Sequence, residues 1–221
     1  MKYYILSNAT DEKEIGKIYP QCKGVPKGYS FDCYNEANSM TKLSNNEFPK
    51  EKPALIFELE KKAKLTDVIS PSNISARGFL INKKVKNLLC DLKIIEYKIY
   101  PATLFANKQV LDYYWFHPIK NDFVGIDFKN SEFIETNLMM YKIKNVQVNC
   151  IEDYNTCSQN KQKKFNLIIT EKLVLKEEYK KLDIFFFPLI HQDLIVSDKT
   201  IDSIQNNSIT GFKYKEVDFI S

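Results

Sequence analysis

Histidine, tryptophan and glycine are scarce in this chain, and each scarcity closes a line of function. The two histidines, His117 and His191, stand far apart and outside any HxH or HExxH spacing, so the ligand pattern of a zinc hydrolase is missing. Six glycines in 221 residues provide no glycine-rich loop to cradle a phosphate. Ser75, Ser131 and Ser197 are candidate nucleophiles by residue type only, since none stands in GxSxG or SxxK. Ser197 reads better as a helix cap. We therefore expect no metal and no cofactor.

The cysteines, at positions 22, 33, 90, 150 and 157, are odd in number and contain no CxxC pair. Neither a disulfide framework nor a tetrahedral zinc site follows from those spacings. Cys90, beside Leu89 and Leu92, is expected to be a buried small apolar residue. Long hydrophobic runs are absent too: 184–190 is the densest and is broken by Pro188, far short of the roughly 20 residues that cross a bilayer. The opening MKYYILSNATDEKE turns acidic after Leu6, unlike a signal peptide. These features predict a soluble, cytoplasmic chain without membrane contact. Neither sign of charge dominates, with 32 basic and 28 acidic residues giving +4. The densest basic stretch, 161–164, reads as a solvated loop, and no nucleic-acid partner is expected.

What the chain has is apolar and aromatic: 44% hydrophobic, with 15 Phe and 13 Tyr. Aromatics favour pleated, half-buried strands. The predicted class is α+β, mostly antiparallel strands with a few short amphipathic helices.

The stretch 61–133 organises that reading. Asn82 can cap a helix whose apolar residues Val85, Leu88, Leu89 and Leu92 share one face. A strand over 93–100 follows and should end at Pro101, which lacks a backbone donor. Near the C-terminus the arrangement returns: aligning Ser197 with Asn82 puts Thr200, Ile201 and Ile204 at matching helical offsets. Either an internal strand-helix-strand repeat or two copies of a common motif would produce this.

In chain order, 2–6 reads as a strand and 7–52 as turn-rich, which sets an N-terminal subdomain over 1–53 and a main domain over 54–221. Strands are expected at 54–59, 104–110, 113–116, 123–128, 138–150, 165–170, 173–175, 185–189 and 194–196. A turn is expected at Asp112, turn-like sequence over 151–164, and two helical turns over 176–182.

Several side chains could carry chemistry. His117 ends the aromatic run Tyr113, Tyr114, Trp115, Phe116 and could act as acid or base if Asp112, Asp122 or Asp127 oriented it. Strand capping is the simpler role. His191 sits in an expected turn and lacks the further ligands a metal requires. Asp127, Glu132 and Glu135 could pair for catalysis or form an acidic contact to a cationic partner. In the aromatic run, alternation puts Tyr113 and Trp115 on one face and Tyr114 and Phe116 on the other; core packing of all four in a central strand buried on both faces is the favoured reading, and an exposed Trp115 would instead anchor an interface.

The words AKLTDVIS (63–70), GFLINKKVKNLL (78–89), YPA (100–102), YYWFH (113–117), IDF (126–128), IVSDKTIDSIQ and ITGFKY, in this order and spacing, resemble bacterial immunity proteins of polymorphic or contact-dependent toxin systems. The resemblance covers roughly 50–221. The family usually has Ser at the first cap, where Asn82 keeps the same physical role. The resemblance implies a cytoplasmic protein that binds and neutralises a cognate toxin by occlusion, with no turnover. It brings no residue-level site, so Trp115, Asp127, Glu132 and Glu135 stand as partner-binding candidates on their own chemistry. The alternatives are an enzyme built around His117 and Asp127, and a nucleic-acid or glycan module using Trp115 and the basic loop.

Overall fold

A computed structural model describes residues 1–24, 26, 29, 39–119, 124–162, 166–187 and 194–221. Its elements run β1 (Tyr3–Asn8), α1 (Glu12–Ile15), β2 (Cys22–Gly24), β3 (Ile56–Leu59), β4 (Val68–Ile69), β5 (Phe79–Ile81), α2 (Lys83–Leu89), β6 (Tyr97–Ala106), β7 (Gln109–Pro118), β8 (Glu132–Asn137), β9 (Lys142–Val146), α3 (Ile151–Gln162), β10 (Asn166–Lys172), β11 (Ile184–Phe186), β12 (Leu194–Ser197), α4 (Asp198–Asn206) and β13 (Phe212–Val217). The fold is α+β with antiparallel-rich sheets, 40% strand and 17% helix. No helix among the described residues is long and apolar enough to cross a membrane.

Local chemistry explains the central helix. Asn82 is extended, and its side chain accepts a 3.1 Å hydrogen bond from the Val85 amide, while Val85 and Leu89 turn into the core. Cys90 corrects one expectation. It sits at the C-cap and is exposed, because Leu89 takes the inward position.

The strand after α2 runs through Pro101 to Ala106. The Thr103 amide donates to the Leu55 carbonyl. Two residues earlier, the Pro101 nitrogen faces the same side, beyond the start of β3, where no donor is required. The turn expected at Asp112 lies instead at Asn107 and Lys108, both at positive φ (50° and 65°), closing a two-residue hairpin between Ala106 and Gln109. The stretch 151–164 was expected to be turn-like, yet α3 occupies 151–162. The 176–182 stretch forms hydrogen-bonded turns.

Three sheets carry the fold, ordered β2-β3-β6-β7-β5-β4, β11-β12-β1-β13 and β10-β8-β9. The first two contain one unit twice. In each, a strand, a capped helix and a second strand flank a central strand antiparallel to both: β5, α2 and β6 around β7, and β12, α4 and β13 around β1. Adding 115, the step from Asn82 to Ser197, takes Phe79 and Ile99, which both pair with Phe116, to Leu194 and Tyr214, which both pair with Leu6. The strand-helix-strand arrangement is therefore present twice, and the matching units are larger than the helices alone.

The central strands match as well. Adding 110 takes Tyr3, Tyr4 and Leu6 of KYYIL to Tyr113, Tyr114 and Phe116 of DYYWF. In chain order the repeats begin at β1 and β7, so each repeat's first strand completes the other repeat's sheet. Residues 1–53 form no sheet of their own among the described residues, because β1 joins β12 and β13 while β2 pairs with β3.

The repeats also interlock through two aspartates. The Asp67 carboxylate accepts from the Asn82 side chain (2.7 Å) and from the amide and hydroxyl of Thr210 (both 2.9 Å). The Asp183 carboxylate accepts from the Ser197 hydroxyl (3.1 Å), the Lys93 amide (2.8 Å) and the Lys199 ammonium (2.9 Å). Each aspartate thus ties the cap of its own helix to the segment following the other helix.

One core lies against Phe116 and gathers both helices, and a second lies against Trp115 and Tyr113 on the opposite face of β7. Between β7 and β11, the sheet β10-β8-β9 and α3 enclose a small core of their own, Phe133, Val148, Tyr154 and Ile168.

Candidate partner interface

That smaller unit presents the most exposed apolar surface of the described chain. Asn137 ends β8 and builds the turn to β9. Its backbone carbonyl accepts from the Met140 amide (2.9 Å), its backbone amide donates to the Tyr141 carbonyl (3.1 Å), and its side-chain oxygen accepts from the amides of Met139 and Tyr141 (3.0 Å each). Met140 takes a positive φ of 65° at the tip. With its backbone held in this way, the turn directs apolar side chains into water. Leu138, Met139, Met140, Tyr141 and Ile143 are 63%, 77%, 57%, 69% and 51% exposed. Isolated exposed apolar residues are ordinary, but five within six positions form a contiguous apolar patch, the candidate interaction surface of the described chain. Methionine adapts its shape to a partner, and tyrosine is a frequent interface anchor.

The residues singled out from sequence lie elsewhere or face other ways. Trp115 is 1% exposed and packs in the core around Phe57, Leu80 and Leu104, so its ring is closed to a partner. Gly78 lies so close that a Cβ there would collide with the Phe116 carbonyl oxygen and the Trp115 ring.

Asp127 closes a turn before β8. Its carboxylate accepts from the Asn130 side chain (2.7 Å) and amide (3.3 Å). The Asn130 side chain is the main reason its carboxyl is held below the usual range, ahead of an opposing desolvation and smaller help from the Asn130 and Lys129 amides and Lys176. Glu132 is exposed at the start of β8. Glu135 is 3% exposed, accepting from the Asn166 side chain (2.6 Å) with Lys144 at 4.0 Å. Three positions apart on one strand, Glu132 and Glu135 point to opposite faces. The three carboxylates do not make one acidic patch.

His117 is fully buried. Its Nε2 donates to the Ser44 carbonyl (2.8 Å), which leaves Nδ1 as an acceptor, and the Phe48 and Tyr100 rings lie 5.8 and 6.0 Å away. Burial pushes its pKa down, against a smaller upward effect of the Ser44 bond. Among the described residues no carboxylate bonds to it, and no group of three His, Cys, Asp or Glu could hold a metal. Ser75 donates to the Thr41 carbonyl, Ser131 to the Asp127 carbonyl and Ser197 to Asp183, each inside a structural junction. Cys22 is buried, and its thiol is pushed up to about 12, mainly by desolvation. His191, Cys33, Asp122, Lys163 and Lys164 lie outside the described residues, and position 161 falls in the last turn of α3.

The hairpin tip was missed because four consecutive apolar residues, 138–141, read as part of a strand over 138–150. A usable signal was there: an apolar run without alternation, placed between Asn137 and the lysine-flanked Ile143.

No protein-family model matches the chain, and no curated protein matches it.

Proposed function

We propose that this chain binds a bacterial toxin protein in the cytoplasm and neutralises it by occlusion, without turnover, docking through the tip of the β8–β9 hairpin. The observation that supports this reading is the exposed cluster Leu138, Met139, Met140, Tyr141 and Ile143 on a turn whose backbone Asn137 holds in place. A pre-shaped turn loses little conformational freedom on binding, so more of its contact energy survives as affinity. Covering a large apolar side chain is worth about 1.5–3 kcal/mol, so a few of these residues supply the centre of an interface. The near balance of charge, +4 overall, fits a contact led by apolar packing better than one led by a strong acidic field. The sequence resemblance to immunity proteins points the same way.

The test is co-expression rescue. A candidate bacterial toxin is induced in a susceptible cell with and without this chain, followed by pull-down. Survival together with a stable complex is the expected result. Death without a complex, when both proteins are soluble, would remove the assignment to that toxin.

A further inference from the structure

The geometry points to a docking edge on a different strand from the hairpin tip: the outer side of β13 takes an extended strand of a partner protein with acidic residues at alternate positions. β13 pairs with β1 along one side only. The Ala9 amide donates to the Gly211 carbonyl (2.9 Å), so residues 211, 213, 215 and 217 face β1 and the alternate residues face outward. Thr210 already accepts on that outer side from the Val68 amide of β4 (3.0 Å), and past β13 the Leu173 amide donates to the Phe219 carbonyl (2.6 Å). Between these contacts no described backbone group other than β1 bonds to 212–217, and residues 213–216 are exposed. The amides and carbonyls of Phe212, Tyr214 and Glu216 remain as a template one short strand long.

The first repeat shows how the equivalent edge is closed. Adding 115 to Tyr97, Ile99 and Pro101 of β6 gives Phe212, Tyr214 and Glu216. These β6 positions also face outward, since the Thr103 amide donates outward to the Leu55 carbonyl. Pro101 has no donor to offer there, and Lys98, the counterpart of Lys213, lies 4.4 Å from the centre of the Phe48 ring. Among the described residues β13 has neither device, and Glu216 supplies the donor that Pro101 lacks.

The charges of β13 select the strand. Its register with β1 is unbroken from Tyr3–Val217 to Asn8–Phe212, so Lys213 and Lys215 lie on one face. Both are exposed, and among the described residues neither has a carboxylate within ion-pair distance. On the other face Glu216 is met by Lys2 at 2.8 Å, and the Tyr214 hydroxyl accepts from the Gln205 side chain (2.6 Å). An antiparallel strand places the residues opposite Lys213 and Lys215 at the closely approached, non-hydrogen-bonded positions. Carboxylates there reach both cations, and an apolar residue between them covers the Tyr214 ring. A slip of one residue sets an acid against Glu216, so the charges also fix the register. A second copy of this chain pairing about Tyr214 would oppose Lys213 to Lys215, which is destabilising.

The probes are a blocked Thr-Glu-Val-Glu-Val peptide and its Thr-Lys-Val-Lys-Val counterpart, each carrying a fluorophore and added to the full chain. Anisotropy should show the acidic peptide binding about tenfold more tightly, and added salt should narrow that gap. Amide exchange should slow at Phe212, Tyr214 and Glu216 and change little at Lys213 and Lys215, which face β1. The double variant Lys213→Glu, Lys215→Glu should reverse the preference. Glu216→Pro, which copies β6, should weaken binding while circular dichroism stays unchanged. No binding of the acidic peptide, equal affinity for both, binding that leaves the three outward amides unprotected, or a homodimer in sedimentation that protects them would overturn the inference. The rescue assay for the hairpin tip involves other strands, so the two readings can fail separately.

Discussion

Asp67 and Asp183 hold equivalent places in the two repeats, each joining its own helix cap to the segment after the other helix, but their surroundings differ. Asp67 is met by neutral donors, the Asn82 side chain and both polar groups of Thr210, with Lys84 remote at 3.9 Å. Asp183 has the Lys199 ammonium at 2.9 Å, and its side chain is 7% exposed against 16% for Asp67. The helix caps differ in the same sense. Asn82 also caps α2 through the Val85 amide, whereas Ser197 makes no side-chain cap bond and gives its hydroxyl to Asp183. One junction is shared between helix and loop, and the other is concentrated on a buried carboxylate. Equivalent positions in a repeat can therefore carry unequal loads.

The largest expected effect follows from that difference. Asp183→Ala strands the buried Ser197 hydroxyl and the Lys93 amide, at about 1–3 kcal/mol for each unsatisfied group, so chemical denaturation should show a loss of roughly 3 kcal/mol. Asp67→Ala should cost less, about 1–2 kcal/mol, since water reaches its partners more easily. Equal losses would erase the distinction between the junctions. Next in size, Asn82→Ala should cost about 1 kcal/mol through loss of the α2 cap. Asn82→Ser, which can still accept from the Val85 amide, should recover most of that loss.

Acid should act on both junctions in the same direction. Burial alone would raise the Asp67 carboxyl, but the Thr210 and Asn82 hydrogen bonds and Lys84 outweigh it, and the net shift is downward. Asp183 behaves alike, with burial opposed by the Lys93 amide, Lys199 and Ser197. Carboxyls lowered by folding add stability above their unfolded value, about pH 4. That stability disappears as pH falls through the lower folded values. Asp67→Asn and Asp183→Asn should each flatten the unfolding free energy against pH in that window. His117 adds an earlier loss: its folded pKa is depressed, so stability declines as pH drops from about 6.5 towards the folded value.

The smallest effect concerns the place where the repeats are joined. Lys108 holds a positive φ in the β6–β7 hairpin. In the second unit the matching strand ends, Val217 and Tyr3, pair without a connecting turn. Lys108→Gly should stabilise the chain by about 0.5–1 kcal/mol, measurable as a raised unfolding midpoint.

The sequence revealed what local chemistry decides. Asn82 followed by spaced apolar residues is enough to place α2, and the spacing of Thr200, Ile201 and Ile204 after Ser197 places α4, although the Ser197 hydroxyl goes to Asp183 and not to the helix amides. The exchange of first strands was not legible, because Tyr3–Tyr4 and Tyr113–Tyr114 reveal their equivalence only through pairing partners distant in the chain. The helix α3 was hidden by Asn155, Thr156, Ser158 and Asn160, poor helix formers whose segment is held by Tyr154 and Ile151 against Phe133. Trp115 was legible both as core, in a central strand buried on both faces, and as an anchor for a partner; the two cores on either face of β7 decide for the first. The interface candidate at 138–143 required the opposite information, that a strand-like apolar run is a turn in open water.

The measurement that bears most directly on the proposed function is the rescue assay repeated with Met139→Asp and Tyr141→Asp in one chain. Both positions are exposed, so the unfolding free energy should change by no more than about 0.5 kcal/mol. Stable, soluble protein that no longer rescues or co-purifies with the toxin is the predicted result. Undiminished rescue by that variant would contradict a partner surface at the hairpin tip.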